Sequence, residues 1–405
     1  MGDRHQTMTR ELIKRIPIAA WANAVCKARL QEWTAATSLR RCRLHASQEQ
    51  VDCPTGEALA CALRRRLASR NRGQWPRQKG HLNLFLAYYV SNWEAILPKS
   101  LEPFGHVTAF NWRERSIDDR TGDWLRNRDR MNADMLAAFR EANCARPVDA
   151  VIGYLSGHNT SPETLREMAS SGAAIFNLCF DDKLFFPGRI VGGRYTSPAA
   201  LAATVDLNLT NAPESILKYA VHGGLAMFWP GAAHPEVHCP RRGNFEYDVT
   251  FVGSCYGWRP RFIADLRRQG LKVECFGQGW PNGPLSNEEV INLFSRSRIN
   301  LGFGGIGYSR KLLCLKGRDF EVPMSGGLYL TQDNPELALV YDVGREIVTY
   351  KDASQCARQV MRLLGDPERA NAIRQAGRQR ALRDHTYETK WSQVFKRAGL
   401  IEMNN

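Results

Sequence analysis

The order of hydrophobic runs constrains this chain more than any single motif. From residue 81 onward, short runs rich in β-branched and aromatic residues alternate with stretches at helical spacing. HLNLFLAYYV (81–90), HVTAF (106–110), DAVIGYL (149–155), AAIFNLCF (173–180), DLNLT (206–210) and LAMFWPG (225–231) read as strands. Helical segments fall between them at about 93–105, 123–145, from Ser161, at 197–205 and at 212–223. Ser161-Pro162-Glu163 is a helix start in itself: an N-cap, then proline, then an acid at the positive end of the dipole. This alternation predicts a parallel sheet with helices on both faces, because each strand must return through a crossover.

After an aperiodic stretch at 232–243 the alternation starts again. YDVTFVG, LKVECFG, RINLGFG, GLYLTQ and REIVTYK read as strands, and WRPRFIADLRRQG, SNEEVINLFSRS, LKGRDFEVPMS, NPELALVY and ASQCARQVMRLLG as helices. The tail from Pro367 to Gly399 reads as helix with one break near His385. The expectation is an α/β chain of two doubly wound, Rossmann-like lobes. Ligands of such sheets bind beyond the carboxyl ends of the strands, so the expected site is a central cleft between the lobes.

Composition bounds what surrounds these lobes. The 405 residues are 43% hydrophobic and 24% charged, an ordinary globular balance. No run approaches the ~18–20 apolar residues of a membrane span, which argues against an integral membrane protein. The formal net charge is +14, but it is lopsided: residues 1–80 carry 16 Lys+Arg against 6 Asp+Glu, and the remaining 325 carry 39 against 35. Arginine outnumbers lysine 43 to 12, as in chains from GC-rich bacterial genomes. The eleven cysteines form no C-x-x-C pair, and several sit in apolar runs, as buried thiols do in a reducing compartment.

Residues 1–78 therefore read as a basic helical extension, with helices at ELIKRIPIAAWANAVCKARLQEW and Thr55–Leu67 and a linker at 69–76. Lys14-Arg15 before an apolar run has a superficial likeness to a signal peptide, but Asp3, Glu11 and Asn23 favour an amphipathic or core helix. The remaining divisions are an N-terminal lobe at 79–240, a C-terminal lobe at 241–385 and a helix at 386–405 packing back on the N-terminal lobe. The arginine groups 40, 41, 43, then 64–66, then 70 and 72, suit nucleic acid or anionic lipid electrostatically. No nucleic-acid motif accompanies them, which leaves a partner-facing or solvated region, or peripheral contact with an anionic membrane.

Three places could carry chemistry. At the turn after YDVTFV, Gly253 and Ser254 can let backbone N–H groups approach a phosphate, with Arg259 and Arg261 in the following helical turn. A plain strand-to-helix turn with solvated arginines fits equally well, and the absence of G-x-G-x-x-G counts against a dinucleotide. The second place is Lys316 through Gly327. Lys316 and Arg318 suit a diphosphate, Glu321 suits ribose hydroxyls, and Gly317 and the pair Gly326-Gly327 bracket the helix. A salt-bridged surface helix is the plainer alternative. The third is the rim of the first lobe, where His158 and Asp181-Asp182 follow strands and can serve as base or hold sugar hydroxyls. A turn or cap role is the alternative there.

The second lobe resembles the spore-maturation CgeB-type glycosyltransferases, a group with the two-lobed GT-B fold. The residues that carry the resemblance are YDVTFVGS with Arg261, KVECFGQGW, RINLGF, Lys316-Gly317-Arg318-Asp319-Phe320-Glu321-Val322-Pro323 with Gly326-Gly327, LTQDNPEL, and Asp384-His385-Thr386-Tyr387. The likeness spans about 150–390 and is strongest over 247–388; the first lobe contributes FDD at 180–182 more loosely. It implies transfer of a sugar from a nucleotide-diphosphate sugar to an acceptor, without a cofactor or bound metal. Glu321 would bind ribose, Lys316, Arg318 and Arg261 would face the diphosphate, and Gly253 and Ser254 would line the phosphate turn. Asp181, with His158, would serve the acceptor side. Many retaining members of this fold carry a second glutamate eight residues before the first; here that position is Leu313. The implied protein is a bacterial, cytoplasmic enzyme, or one peripheral on the inner membrane, in glycan biosynthesis. A nucleotide-sugar epimerase on the same fold, and a non-catalytic binder of nucleic acid or anionic membrane through residues 1–78, are the alternatives.

Overall fold

The structure, a computed structural model, describes residues 17–70, 73–88, 96–115, 124–191 and 193–402. The expected start of the first helix at 11–16, Arg72, and the segments 89–95 and 116–123 lie outside them. The chain divides into two compact units, one comprising Thr37–His234 with Asp384–Asn405, the other the residues up to Ala36 with Pro235–Arg383. We call them the first and second lobes. The segment 1–78 is thus shared between them. Helix α1 (Pro17–Gln48) runs 15 residues beyond the stretch read as helical and carries Arg40, Arg41 and Arg43 exposed. Among the described residues no helix is long and apolar enough to cross a membrane.

In the first lobe, α2 (Gly56–Ala68) precedes a six-stranded sheet of order β2-β1-β3-β4-β7-β8. The strands are β1 (Leu82–Tyr88), β2 (Gly105–Asn111), β3 (Ala150–Gly153), β4 (Ala174–Cys179), β7 (Leu207–Thr210) and β8 (Ala226–Phe228), and every pairing is parallel. A two-residue antiparallel pair, β5 (Ile190–Val191) and β6 (Arg194–Tyr195), stands apart. The helices are α3 (Leu97–Leu101), α4 (Trp124–Ala145), α5 (Pro162–Ser170), α6 (Asp182–Phe185) and α7 (Ser215–Val221). The cap read at Ser161 forms, its hydroxyl accepting from the Thr164 N–H. Phe85, Phe110, Phe139, Met135 and Ile175 form the core between α4, α5 and the sheet.

Two expected helices fail. NPELALVY makes only a 3-10 turn at Pro335–Leu339. Residues 197–205 make only a 3-10 turn at Pro198–Ala200. The amide of Asn208 donates to the Ala202 carbonyl at 3.1 Å, and the Val205 carbonyl accepts from Arg66, so side chains from outside the segment hold its backbone.

Three arginines of the segment before β1, Arg66, Arg70 and Arg77, are spent on this lobe. Arg66 donates to the carbonyls of Val205 and Gly223, both at 3.1 Å, and Arg70 to Ala173 at 3.0 Å and to the carboxylate of Asp206. Asp149 is fully buried. It accepts from Trp75 Nε1 (3.0 Å), Arg77 Nε (2.7 Å) and the Asn83 N–H (2.8 Å). Asp206 also takes the Ile175 N–H at 2.7 Å. Both acids stand just before a strand, so the segment is pinned to the amino ends of the sheet.

The second lobe holds a five-stranded parallel sheet of order β10-β9-β11-β12-β13. Its strands are β9 (Tyr247–Val252), β10 (Val273–Phe276), β11 (Ser297–Leu301), β12 (Tyr329–Gln332) and β13 (Val348–Tyr350). Its helices are α8 (Arg259–Arg268), α9 (Asn287–Arg296), α10 (Arg318–Met324), α11 (Ala353–Gly365) and α12 (Pro367–Asp384). A full capping box at Ser286 and Glu289 starts α9. Phe251, Phe262, Phe303, Tyr350 and Trp280 build the core under α8 and α11. The last helix, α13 (Tyr387–Ala398), belongs to the first lobe, where Phe395 stacks edge-on against Phe104 with centroids 5.0 Å apart.

Two predictions follow from buried acids. Asp149→Ala leaves three donors without their acceptor and is expected to cost about 3 kcal/mol, read as a fall in the denaturant midpoint of the full chain. Asp319, fully buried in α10, has its carboxyl pushed up from 3.8 to about 6, chiefly by burial. The folded chain therefore holds that proton more tightly than the unfolded one. Its stabilising effect is complete below about pH 4 and is lost as pH rises through about 6. Asp319→Asn should flatten stability over that window and raise it above pH 6 relative to the parent, measured by urea unfolding across pH.

Candidate active site

The strand order of the second sheet locates the site. From β9 the chain moves to one side, to β10, and then crosses to β11 on the other side, so the switch point lies between the carboxyl ends of β9 and β11. The loops leaving β9 and β10 touch backbone to backbone there. The Gly253 N–H donates to the Phe276 carbonyl at 2.8 Å, and the Gly253 carbonyl accepts from Trp280 Nε1 at 2.8 Å. A Cβ on Gly277 would lie 2.5 Å from the Gly253 oxygen, and Gly253 itself has φ +153°. Glycine is required at both for the loops to close.

The arginines of this turn differ from each other. Arg259, at the first position of α8, folds back: its guanidinium lies 4.3 Å over the Tyr256 ring and donates to the carbonyl of exposed Ser254 at 3.1 Å. Arg261 is exposed and lines a cavity of about 600 Å³ beside Trp258 and Tyr308. The first turn of α8 has no acidic residue to balance these cations.

The second cluster starts α10, whose N-cap is Gly317. The Lys316 N–H donates to Asp319 Oδ2 at 2.7 Å, which ties the helix start to the buried acid. Arg318 is half-buried, and its Nε is enclosed without a hydrogen-bond partner. The half-buried Glu321 carboxylate lies over Gly317, where a Cβ would stand 2.7 Å from Oε1. Because a crossover helix runs opposite to its strands, this start sits at the carboxyl end of the sheet. Gly326 and Gly327 do not. They precede β12 at its amino end, where Gly326 turns with φ +74° against Pro240, and a Cβ on Gly327 would meet Asn300 Nδ2 at 2.7 Å. Lys316, Arg318 and Glu321 share one helix start, while the glycine pair packs the opposite end.

In the first lobe, His158 and Asp181 both follow strands at carboxyl ends, β3 and β4. His158 is half-buried, and its N–H donates to Ser156 Oγ at 3.3 Å. Asp181 takes left-handed φ +64°, and its carbonyl accepts the N–H groups of Leu184 and Phe185 at 3.1 Å each. Its neighbour Asp182 is fully buried and lines a cavity of about 300 Å³ with Tyr154, Ser156, Asn159 and Phe180. The Tyr219 hydroxyl donates to Asp182 Oδ2 at 3.1 Å, and burial pushes the carboxyl up to about 6. Buried Lys218 donates to the carbonyls of Asp182 and Lys183 at 3.1 and 2.8 Å.

The sequence reading missed the loop after β11. Residues 304–314 fold as a hairpin-like turn that brings Tyr308, Arg310 and Lys311 to the rim. The glycine density of LGFGGIGY was the available signal. Among the described residues no group of three His, Cys, Asp or Glu side chains is placed to hold a metal.

Residues 259–396 match the family model described as glycosyl transferase-like. No curated protein matches the chain. Among solved structures it is similar to sucrose-phosphate synthase from Thermosynechococcus elongatus, at 11% identity and TM-score 0.55, over 79% of this chain and 98% of that one. It is similar to a glycosyltransferase from Rickettsia africae at 10% identity and TM-score 0.52, over 78% and 98%. The Anabaena HepE protein in complex with UDP and glucose is similar at 10% identity and TM-score 0.51, over 78% and 99%. At such identities the likeness is one of fold, two Rossmann-like lobes of the GT-B kind. Residues 259–396 of that fold, most of them in the second lobe, are glycosyl transferase-like.

Proposed function

We propose that the protein transfers a sugar from a nucleotide-diphosphate sugar to an acceptor hydroxyl, and that the donor binds at the carboxyl rim of the second lobe. The observation that supports this best is the start of α10, where half-buried Arg318 and Glu321 lie within one helical turn inside the matched family region. Arg318 suits a diphosphate oxygen and Glu321 suits two ribose hydroxyls. The UDP held by the similar HepE structure is consistent with this donor class. The CgeB-type resemblance rests on the same run, Lys316 through Gly327, and points to the same donor.

In the proposed reaction an acceptor oxygen attacks the anomeric carbon as the bond from that carbon to the β-phosphate oxygen breaks. The nucleoside diphosphate leaves as an anion, and the acceptor proton passes to a base. Arg318, Lys316 and Arg261 would stabilise the negative charge that grows on the leaving group, with no metal or cofactor. Asp181 at the first lobe's rim is our candidate base, with His158 beside the acceptor. The acceptor class is a glycan, lipid or protein, and exposed Arg40, Arg41 and Arg43 would favour one carried on an anionic surface.

The test is calorimetry of the full chain with UDP-, GDP- and dTDP-sugars, followed by turnover with the donor that binds. Arg318→Ala and Glu321→Ala should each lower kcat/KM by about 10- to 100-fold, the scale of losing one charged hydrogen bond. Unchanged turnover in both variants would remove this site assignment. Conversion of the donor sugar without any acceptor would mark an epimerase instead.

A further inference from the structure

The cavity of about 600 Å³ at the rim of the second lobe has one wall that no sheet element supplies. Helix α1 forms it through Ala24, Val25, Ala28, Arg29 and Glu32. This volume lies within the ~300–1,000 Å³ of ordinary small-molecule sites.

The same helix holds the loop opposite. The Tyr308 N–H donates to Gln31 Oε1 at 2.8 Å, and Ser309 Oγ donates to Glu32 Oε1 at 2.8 Å. Ser309 Oγ in turn accepts the N–H groups of Lys311 and Leu312 at 3.0 Å each. One carboxylate on α1 thereby fixes, through one hydroxyl, the backbone position of Lys311. The loop reaches the helix this closely only because residue 307 is glycine: it has φ +57°, and a Cβ would stand 2.7 Å from the Gln31 amide. Lys27 on the same helix lies 4.9 Å over the Tyr308 ring.

The charges facing the cavity are unequally committed. Its acids are occupied: Glu32 by Ser309 and Arg29, Asp265 by Arg268, and Asp352 by the Gln355 N–H that it caps. Its cations are Arg29, Arg261, Arg310 and Lys311. The Arg310 guanidinium carbon lies 4.8 Å over the Trp258 ring, a contact with the ring's face that spends none of its N–H donors on a hydrogen bond to an acid. Lys311 is exposed, and no ion pair among the described residues takes its amine.

We infer that helix α1 completes a binding site for a diphosphate ester at this rim, with Arg310 and Lys311 as ligand contacts and Gln31 and Glu32 as positioning residues for the loop that carries them. The inference deepens the donor reading above and rests on it for the identity of the ester. It makes the N-terminal helix part of the transferase's substrate site.

The experiment is calorimetry of the full chain with inorganic pyrophosphate and, separately, with UDP. Both should bind, and the double variant Arg310→Ser/Lys311→Ser should weaken both by about tenfold or more. Glu32→Ala should weaken both through the loop, and Glu32→Gln, which keeps an acceptor for Ser309, should restore binding. A merely structural role for Glu32 would show as a lowered melting temperature with binding unchanged, and would overturn the positioning claim. Pyrophosphate binding that is absent, or indifferent to Arg310→Ser/Lys311→Ser, would overturn the site. If UDP binds and depends on Glu321 but not on Arg310 and Lys311, this inference falls and the donor reading stands. If pyrophosphate binds through Arg310 and Lys311 while no nucleotide binds, the site stands and the donor reading falls.

Discussion

All strands of a parallel sheet point one way, so each lobe of this protein has two unlike ends, and the polarity sorts its charged residues into two jobs. At the amino ends of the first sheet, Asp149 and Asp206 stand buried before β3 and β7, each accepting a strand N–H and an arginine. Those groups are satisfied and immobile, as buried carboxylates must be. At the carboxyl ends the loops leave the strands with donors and side chains pointing outward. The start of α10, the turn after β9 and the loop after β11 all collect at that end in the second lobe. A catalytic reading of a charged residue in this chain therefore depends first on which end of a strand it follows.

The same sorting changes the meaning of the basic N-terminal region. Its charge excess is real, but Arg66, Arg70 and Arg77 are counter-charges and carbonyl ligands for the first lobe. An arginine that bridges two carbonyls is a structural tie and offers little to a polyanion. The cations left facing solvent are fewer, Arg40, Arg41, Arg43 and Arg65 among them. Net charge counted along a sequence cannot separate these two populations, because the difference lies in backbone carbonyls brought close only by folding.

The alternation of strands and helices was legible because short, continuously buried apolar runs and stretches of period 3.6 leave different residue patterns; nine of the eleven strands of the two main sheets fall within the runs that predict them, and β2 and β11 overrun theirs by a residue. At the helix expected over 197–205, Asn208 and Arg66, both outside the segment, bond its carbonyls, and no local pattern shows such partners. In the site, Gly326-Gly327 sat in one motif with Lys316, Arg318 and Glu321 because a seven-residue helix separates them by few positions. A helix nevertheless carries its two termini to opposite ends of a sheet, and nearness in sequence does not mean nearness in space. The pair serves packing against Asn300 and Pro240. Arg310 and Lys311 were invisible because nothing in their spacing reveals that a hydroxyl at Ser309 and a carboxylate at Glu32 would pin their loop.

The adjacent acids of FDD show how far residue type falls short of role. Asp181 and Asp182 are chemically identical, and no periodicity argument ranks them. The left-handed backbone at Asp181 turns the chain so that Asp182 goes inward, to the Tyr219 hydroxyl, and Asp181 stays half-buried on the rim. A carboxyl pushed up to about 6 by burial is partly protonated near neutral pH, and one tied to a buried tyrosine is held away from bulk solvent. That environment raises the basicity of Asp182 above that of an ordinary carboxylate, which suits proton abstraction. Asp182 also lines the cavity of the first lobe. Basicity thus favours the buried acid and access favours the exposed one. The two sit on one turn, so the rim of the first lobe offers an accessible carboxylate and a buried one side by side.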